Sequence, residues 1–180
     1  PAIPLGATGQ VNQVKGGTLA LTGPGQTVSV PGGIRTGTVT GVSGHLTVQD
    51  STVVVGTTSV FAASENSTSN VVLGGSSVYT ATDALQLATN GTATCNFTIQ
   101  DNAQLIRAAN GWTSIGNDGT AVMTVKDSGS FTAPNDFNVS DVGTSNGTLN
   151  VQDNATVSAT GIFFVGKNGG TTGTVNVTGG

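Results

Sequence analysis

A six-residue pattern recurs along the chain at an almost constant interval, and it constrains the fold more than any other sequence feature. Its copies alternate apolar and polar residues before a turn, as in Leu149-Asn150-Val151-Gln152-Asp153-Asn154. The first residues of the copies stand at positions 19, 46, 71, 97, 123, 149 and 175, so the steps are 27, 25, 26, 26, 26 and 26 residues. Tandem repeats of roughly 20–50 residues are typical of proteins built from stacked units. The interval therefore predicts a backbone that returns to lie above itself once per repeat.

Each repeat contains three short segments with strand character. In the first, Leu149–Val151, and in the second, Ala155–Ala159, apolar and polar residues alternate with the period of two expected for a half-buried strand. The third, Phe163–Val165, is less regular and is followed by Gly166. Because each strand must pair with the equivalent strand of the next coil, a constant repeat length is what a solenoid requires. The sequence predicts an all-β fold, a three-sided parallel β-helix.

Loops within the repeats differ in length without changing the total. In one copy we expect an insertion at residues 137–143, with the third strand at residues 139–142 and a shorter return loop that compensates for it. We assign residues 19–180 to a β-solenoid of about six coils and residues 1–18 to an N-terminal segment that forms an assembly or capping strand.

The composition agrees with this fold and argues against several functions. Only 8% of the residues are charged, whereas disordered chains are rich in charge and poor in β-branched residues. A net charge of −4 argues against binding nucleic acid, which requires a basic face. No apolar run approaches the ~18 residues of a membrane-spanning helix, so we expect no membrane insertion. Cys95 is the single cysteine, which excludes an internal disulfide and a thiolate metal cluster.

A looser pattern, Gly-Thr-x-(x)-Val-x-Asp/Gly-x-Ala-x-Val…Val/Ile-Gly, occurs at residues 91–116, 119–143 and 147–166. It resembles the autotransporter-type and PEP-CTERM-associated β-strand repeats of large bacterial surface proteins, and the resemblance covers residues 17–180. The resemblance implies a right-handed parallel β-solenoid that is secreted, lies outside the cell or on its surface, and acts as a stalk, fibre or adhesin. The copy at residues 71–75 departs from the pattern because it lacks the Asp.

Acidic residues share one register of the repeat. Asp101, Asp127 and Asp153 follow each other in consecutive copies, and Asp50 takes the same position further upstream. Like charges ~4.8 Å apart repel each other, and Ca²⁺, which binds carboxylate oxygens, would remove that repulsion. A calcium ladder at Asp101, Asp127 and Asp153 is therefore one interpretation. The simpler interpretation is that these Asp side chains are solvated and form turns, which requires no ligand. Apart from this candidate calcium site, we expect no cofactor.

Arg107, Asp136 and Asp141 are the residues that would support an enzyme. Polysaccharide lyases and hydrolases use this architecture and need clustered acids with a basic group. Asp136 and Asp141 are more simply explained as surface turn residues, so we predict no enzymatic activity. Glycans remain candidate partners, although Tyr79 and Trp112 are too few and too far apart to define a sugar site.

Seven Asn-x-Ser/Thr sequences are candidate glycosylation sites. They matter only in a host that modifies surface Asn residues. The candidates are Asn66, Asn90, Asn96, Asn138, Asn146, Asn154 and Asn176.

Both ends of the chain predict polymerisation. Soluble solenoids cover their ends with polar caps, because open coil edges are templates for pairing. Residues 175–180 begin another copy and residues 1–18 precede the first strand at Leu19; together these two segments make about one coil. We therefore expect head-to-tail association of identical chains, which does not close and builds a filament. The expected interface residues are Ile3, Leu5, Val11, Val14, Val175 and Val177.

The predicted function is thus that of a subunit of an extracellular self-assembling filament or matrix fibre. The alternative is the stalk of a surface adhesin that binds glycans or host surfaces. A polysaccharide-cleaving enzyme comes third. The same arithmetic at the ends also holds if the sequence is a section of a longer covalent array.

Overall fold

The structure, a computed structural model, describes residues 3, 4, 6, 11–108 and 111–179. Within these residues no helix is long and apolar enough to cross a bilayer. The regular elements are all strands: β1 (Ile3–Pro4), β2 (Val11–Val14), β3 (Gly17–Val30), β4 (Gly33–Thr36), β5 (Gly44–Val55), β6 (Ser59–Phe61), β7 (Thr68–Gly74), β8 (Val78–Ala81), β9 (Leu85–Leu87), β10 (Thr94–Ile99), β11 (Gln104–Arg107), β12 (Thr113–Ile115), β13 (Thr120–Val125), β14 (Ser130–Ala133), β15 (Phe137–Val139), β16 (Asn146–Gln152), β17 (Thr156–Ala159), β18 (Phe163–Val165) and β19 (Thr172–Thr178).

The strands stack in three columns, which form the three sides of a solenoid. The first side contains the N-terminal parts of β3 and β5, then β7, β10, β13, β16 and β19. The second side contains β1, the C-terminal parts of β3 and β5, then β8, β11, β14 and β17. The third side contains β2, β4, β6, β9, β12, β15 and β18. The first two sides form one sheet because β3 and β5 run through the corner between them.

Every pairing between coils is parallel, and the register follows the sequence repeat. Phe97 pairs with Met123, and Met123 pairs with Leu149. On the second side, Leu105 pairs with Phe131. These residues are at most 2% exposed, because each alternating strand directs its apolar residues to the interior. The prediction of an all-β parallel solenoid with three strands per coil is confirmed.

The two irregular steps of the repeat arise at the corner between the first and second sides. In β3 the register shifts by a bulge between Thr22 and Gln26, which makes that coil one residue longer than a regular one. In β5 only Asp50 lies between Gln49 and Ser51, the residues that pair with Thr22 and Gln26 of β3, and the coil that contains β5 is one residue shorter than a regular one. A bulge inserts residues while the flanking strand pairing continues on both sides of it. The stacking is therefore kept although the repeat length changes.

The third side corrects two details of the sequence analysis. The strand predicted at residues 139–142 lies at Phe137–Val139, and the insertion predicted at residues 137–143 is absent there. Two extra residues instead lie between β11 and β12, and two fewer lie between β12 and β13. Phe137 is fully buried and packs edge-on against Phe131, with ring centroids 5.1 Å apart. A longer loop and a shorter loop do compensate each other, but they flank β12, one coil before the predicted position.

The N-terminal segment is less separate than predicted. β2 already stacks beneath β4 on the third side, and β1 pairs with β3 on the second side. β3 itself begins at Gly17, before the predicted boundary at residue 19. The described part of residues 1–18 therefore contributes strands to the solenoid.

Candidate functional site

The predicted Asp column lies at the corner between the first and second sides. Asp101, Asp127 and Asp153 have φ angles of 59°, 59° and 57°, in the left-handed region that Asp tolerates better than most residues. Each carboxylate accepts a hydrogen bond from a backbone N–H of the preceding coil. Gly75 N–H donates to Asp101 Oδ2 at 2.7 Å, Asp101 N–H donates to Asp127 Oδ2 at 3.2 Å, and Asp127 N–H donates to Asp153 Oδ2 at 3.2 Å. The column therefore links successive coils through their turns.

These hydrogen bonds explain why Asp occupies this register. Gly75, which replaces the Asp in one coil, has a φ of 60° and so keeps the same backbone conformation. Ser76 N–H donates to Asp50 Oδ1 at 2.9 Å, and this bond, followed by one from the Gln49 amide, holds the pKa of Asp50 below its usual value. In the described part of the chain, no group of three or more His, Cys, Asp or Glu side chains is placed to hold a metal ion. Calcium binding at Asp101, Asp127 and Asp153 stays a prediction.

The structure does not bring the three candidate catalytic residues together. Arg107 is 2% exposed and donates from Nη1 to the carbonyl of Ala81 at 2.8 Å. Burial lowers the pKa of Arg107, and the nearby Asp83 carboxylate opposes that shift. Asp136 precedes β15 and Asp141 follows it, so the two carboxylates lie at opposite ends of one strand.

Asp141 belongs to a structural polar cluster at the corner after β15. Its carboxylate is buried and forms an ion pair with Lys167 at 3.1 Å. Asn138 Nδ2 donates to Asp141 Oδ2 at 3.0 Å, and Asn117 Nδ2 reaches the same oxygen at 3.4 Å. Sequence reasoning placed Asp141 on the surface because Asp is usually exposed. That the chain is not an enzyme stays a prediction.

One of the predicted glycosylation sites is not accessible in the folded chain. Asn138 has no exposed surface and its amide is bonded to Asp141, so the prediction for Asn138 is wrong for the native state. Asn90 is half-buried. The remaining candidates are exposed: Asn66, Asn96, Asn146, Asn154 and Asn176.

Two hydrogen-bonded Asn pairs on the outer face of the first side were missed by sequence reasoning. Asn96 Nδ2 donates to Asn70 Oδ1 at 3.1 Å, and Asn176 Nδ2 donates to Asn150 Oδ1 at 2.9 Å. In both pairs the two residues are one coil apart in register. The sequence contained the signal, since each pair is separated by one repeat length, but only the paired strands show that the amides meet.

The C-terminal end of the solenoid presents an open apolar surface. Phe163, Val165 and Val177 point into the coil, yet they are 45%, 48% and 74% exposed. The residues beneath two of them in the same columns, Phe137 and Val139, are fully buried. The predicted interface residue Val175 is half-buried and lines the same hollow. Among the described residues no coil covers this surface.

The N-terminal end of the solenoid starts with strands on two of its three sides. β1 and β2 lie beneath the second and third sides, whereas no described residue pairs beneath Gly17–Thr22 of the first side. The predicted interface residue Val11 is 41% exposed, and Val14, Leu19 and Leu21 are half-buried. Leu5 and the side chain of Ile3, also predicted at the interface, lie outside the described residues.

No protein-family model, no curated protein and no solved structure matches this chain. The resemblance to autotransporter-type and PEP-CTERM-associated repeats is therefore neither supported nor refuted and stays a prediction. The solenoid fold does not depend on it, because the fold follows from the strand pairing itself.

Proposed function

We propose that this chain is an extracellular structural protein whose copies associate end to end into a filament or matrix fibre. The observation that carries the proposal is the stacking itself: every coil pairs in parallel register with the next, and the last described coil leaves Phe163, Val165 and Val177 partly exposed. Full burial of such side chains stabilises a protein by roughly 1.5–3 kcal/mol each. The same end carries the free edges of three strands, whose unpaired N–H and C=O groups are templates for further pairing. A covering coil would bury these apolar side chains and would also pair with the free strand edges.

A second copy of the chain matches this surface in strand direction and in its uncharged strands. Each coil of the solenoid already packs on a coil whose strands run parallel to its own. Although the chain has a net charge of −4, β17, β18 and β19 at one end and β1, β2 and β3 at the other contain no charged residue. The strands of the two ends can therefore approach without placing like charges in contact, while Lys15 and Lys167 lie in the turns that follow β2 and β18. Because the contact joins different ends, it does not close, and it produces a filament.

The test is self-association of the purified 180-residue chain, measured by sedimentation velocity and negative-stain electron microscopy over a range of concentrations. We expect rods whose length grows with concentration. Val177→Asp should remain monomeric, because it places a charge in the contact while Val177 is already 74% exposed in the monomer. Val142→Asp is the matched control, since Val142 is 41% exposed in the corner loop between β15 and β16, outside the uncovered surface, and it should assemble like the native chain.

Two results would contradict the proposal: a native chain that stays monomeric at every concentration, or a Val177→Asp chain that assembles normally. A further repeat of the same polypeptide would cover the same surface covalently, and the intact mass of the natural protein distinguishes that arrangement. The extracellular location rests on the resemblance of the repeats, and immunogold labelling of the producing cells tests it.

A second function, the stalk of a glycan-binding adhesin, is favoured by one observation. Trp112 is 43% exposed and borders a shallow depression with Asn135 and Asp136. An exposed indole next to polar side chains can stack on a sugar ring while those side chains contact its hydroxyl groups. Titration of the Trp112 fluorescence with oligosaccharides tests this function, and a Trp112→Ala chain that binds equally well on a glycan array would contradict it.

A further inference from the structure

We infer that the side chains of Lys167 and Asn138 react to form an amide bond between two neighbouring coils, and that Asp141 moves the protons in this reaction. A neutral Lys amine is a nucleophile, and an Asn side chain carries a carbonyl carbon that the amine can attack with loss of ammonia. The inference concerns a modification within one chain, so it goes beyond the proposed end-to-end association and does not depend on it.

The Asp141 carboxylate contacts both reacting groups. Its Oδ1 lies 3.1 Å from Lys167 Nζ. Its Oδ2 accepts a hydrogen bond from Asn138 Nδ2 at 3.0 Å. The nitrogen that attacks and the nitrogen that leaves are therefore both within hydrogen-bonding reach of one carboxylate, which is the geometry that a general acid–base group requires.

A second observation places the Lys167 ammonium group beside Asn138. On the outer face of the third side, Asn138 pairs in register with Phe164 of the next coil. Lys167 Nζ lies over the Phe164 ring, 5.5 Å from its centroid. Lys167 N–H also donates to the carbonyl of Ser140 at 3.1 Å, which holds the backbones of the two coils together at this corner. The shared carboxylate and the shared ring thus bring the same two side chains together.

The amide under attack is buried, and its oxygen is unpaired. Asn138 has no exposed surface and Asp141 is 4% exposed, so this amide is shielded from bulk water. Among the described residues, none donates a hydrogen bond to Asn138 Oδ1. Ser114 pairs in register with Asn138, and its buried hydroxyl likewise lacks a hydrogen-bond partner in the described chain. Buried polar atoms without partners call for an explanation. A reaction supplies one, because the Ser114 hydroxyl can donate to Oδ1 as negative charge develops there.

The reaction balances without an external reagent. The Lys167 ammonium group gives a proton to Asp141, and the neutral amine attacks Cγ of Asn138. The bond from Nζ to Cγ forms, and the bond from Cγ to Nδ2 breaks. Two protons pass in turn from Nζ through Asp141 to Nδ2, so the leaving group departs as ammonium and Asp141 ends as a carboxylate. The Lys167 side chain is 33% exposed, which gives the ammonium a route to solvent.

The test is the intact mass of the purified native chain, measured after unfolding, together with a tryptic digest. We expect the mass of the sequence less that of one ammonia molecule. Trypsin cleaves after Lys and Arg, and the sequence has neither between Lys126 and Lys167 nor after Lys167. An unlinked chain therefore gives separate fragments 127–167 and 168–180. A linked Lys167 resists cleavage and leaves one fragment, 127–180, that is lighter by one ammonia.

Three variants assign the roles. Lys167→Arg keeps a positive charge beside Asp141 but removes the nucleophile, so it should show its full sequence mass. Asp141→Asn keeps the shape of the side chain but removes the acid–base group, and it should also show its full mass. Lys126→Arg is the matched control, because Lys126 follows β13 on the first side, and this chain should keep both the mass loss and the resistance at Lys167. Far-UV circular dichroism verifies that each variant is folded.

The native chain alone decides the inference, so it stays testable if a variant does not fold. Full sequence mass with cleavage at Lys167 would overturn it. A loss of ammonia with normal cleavage at Lys167 would also overturn it, because an Asn that cyclises on its own backbone loses the same mass. A loss of water would place the amide at Asp141 and refute Asn138 as the acceptor. These measurements are made on single unfolded chains, so their outcome leaves the proposed function unaffected.

Discussion

Two phenylalanines at equivalent positions allow the energetic contribution of a covering coil to be measured directly. Phe137 and Phe163 pair in register on the third side, one coil apart, with ring centroids 5.1 Å from each other. Phe137 is fully buried, whereas Phe163 is 45% exposed because no described coil lies above it. The substitutions Phe137→Ala and Phe163→Ala therefore remove the same atoms from the same column in a covered and in an uncovered coil.

The structure gives the expected difference in stability. Truncation of a fully buried Phe to Ala destabilises a protein by about 3–5 kcal/mol, and Phe137 also loses its edge-on contact with Phe131. Phe163 already exposes nearly half of its surface, so roughly half of the transfer free energy remains to be lost, about 1–2 kcal/mol. Total stabilities are typically about 5–15 kcal/mol. Phe137→Ala should therefore move the unfolding transition far more than Phe163→Ala.

The assay is urea unfolding followed by the fluorescence of Trp112, the single tryptophan, which precedes the strand that pairs with Phe137. Dilute protein keeps the chain monomeric, and an unchanged slope m shows that only stability has changed. At concentrations that support assembly, the loss caused by Phe163→Ala should grow, because a covering copy stabilises the folded state by mass action. Equal losses for both variants in dilute solution would refute the reasoning that exposure at this end weakens the packing.

Three further predictions concern single contacts. Asp127→Ala should lower the free energy of unfolding by about 1–2 kcal/mol, because it removes the hydrogen bond from Asp101 N–H and leaves an alanine at a φ of 59°. Asp127→Gly should recover part of this loss. Equal urea midpoints for the Asp127→Ala chain and the unsubstituted chain would contradict this prediction. The pKa of Asp50 is lowered in the fold, so its ionised carboxylate stabilises the folded state. This contribution is complete above the unfolded pKa of about 4 and is lost as the pH falls through the lower folded pKa. Asp50→Asn should therefore reduce the loss of unfolding free energy at acidic pH, and an unchanged stability–pH curve would contradict this. Tyr79→Phe should lower the free energy of unfolding, measured by heat or urea, by about 1–3 kcal/mol, because it leaves the buried Ser59 hydroxyl without its 2.8 Å hydrogen bond. Adding Ser59→Ala should recover part of that loss. If it does not, the hydrogen bond is not the cause of the loss.

The repeat length and the inward faces were predictable because both follow from local alternation. A strand that alternates apolar and polar residues can bury only one face, so the inward position of Leu149 followed from the pattern alone. On the third side apolar and polar residues alternate less regularly, so the position of the strand was predicted less accurately. There the strand predicted at residues 139–142 lies at Phe137–Val139.

The candidate sites were predicted unevenly, for a physical reason. Val177, predicted at an assembly interface, is 74% exposed, and its part in assembly stays a prediction. Asn138 and Asp141 were expected on the surface from their polarity, and both are buried because the corner lets them satisfy each other. The Asp101–Gly75 bond was also invisible in the sequence, since it joins a side chain to a backbone group one coil away.

The sequence by itself determined that this chain coils on itself about every 26 residues, because stacked parallel strands tolerate only repeats of nearly equal length. The tertiary structure alone decided where corners absorb extra residues and which polar groups are buried together. Those features depend on groups that are distant in sequence and adjacent only between coils, so no local pattern records them.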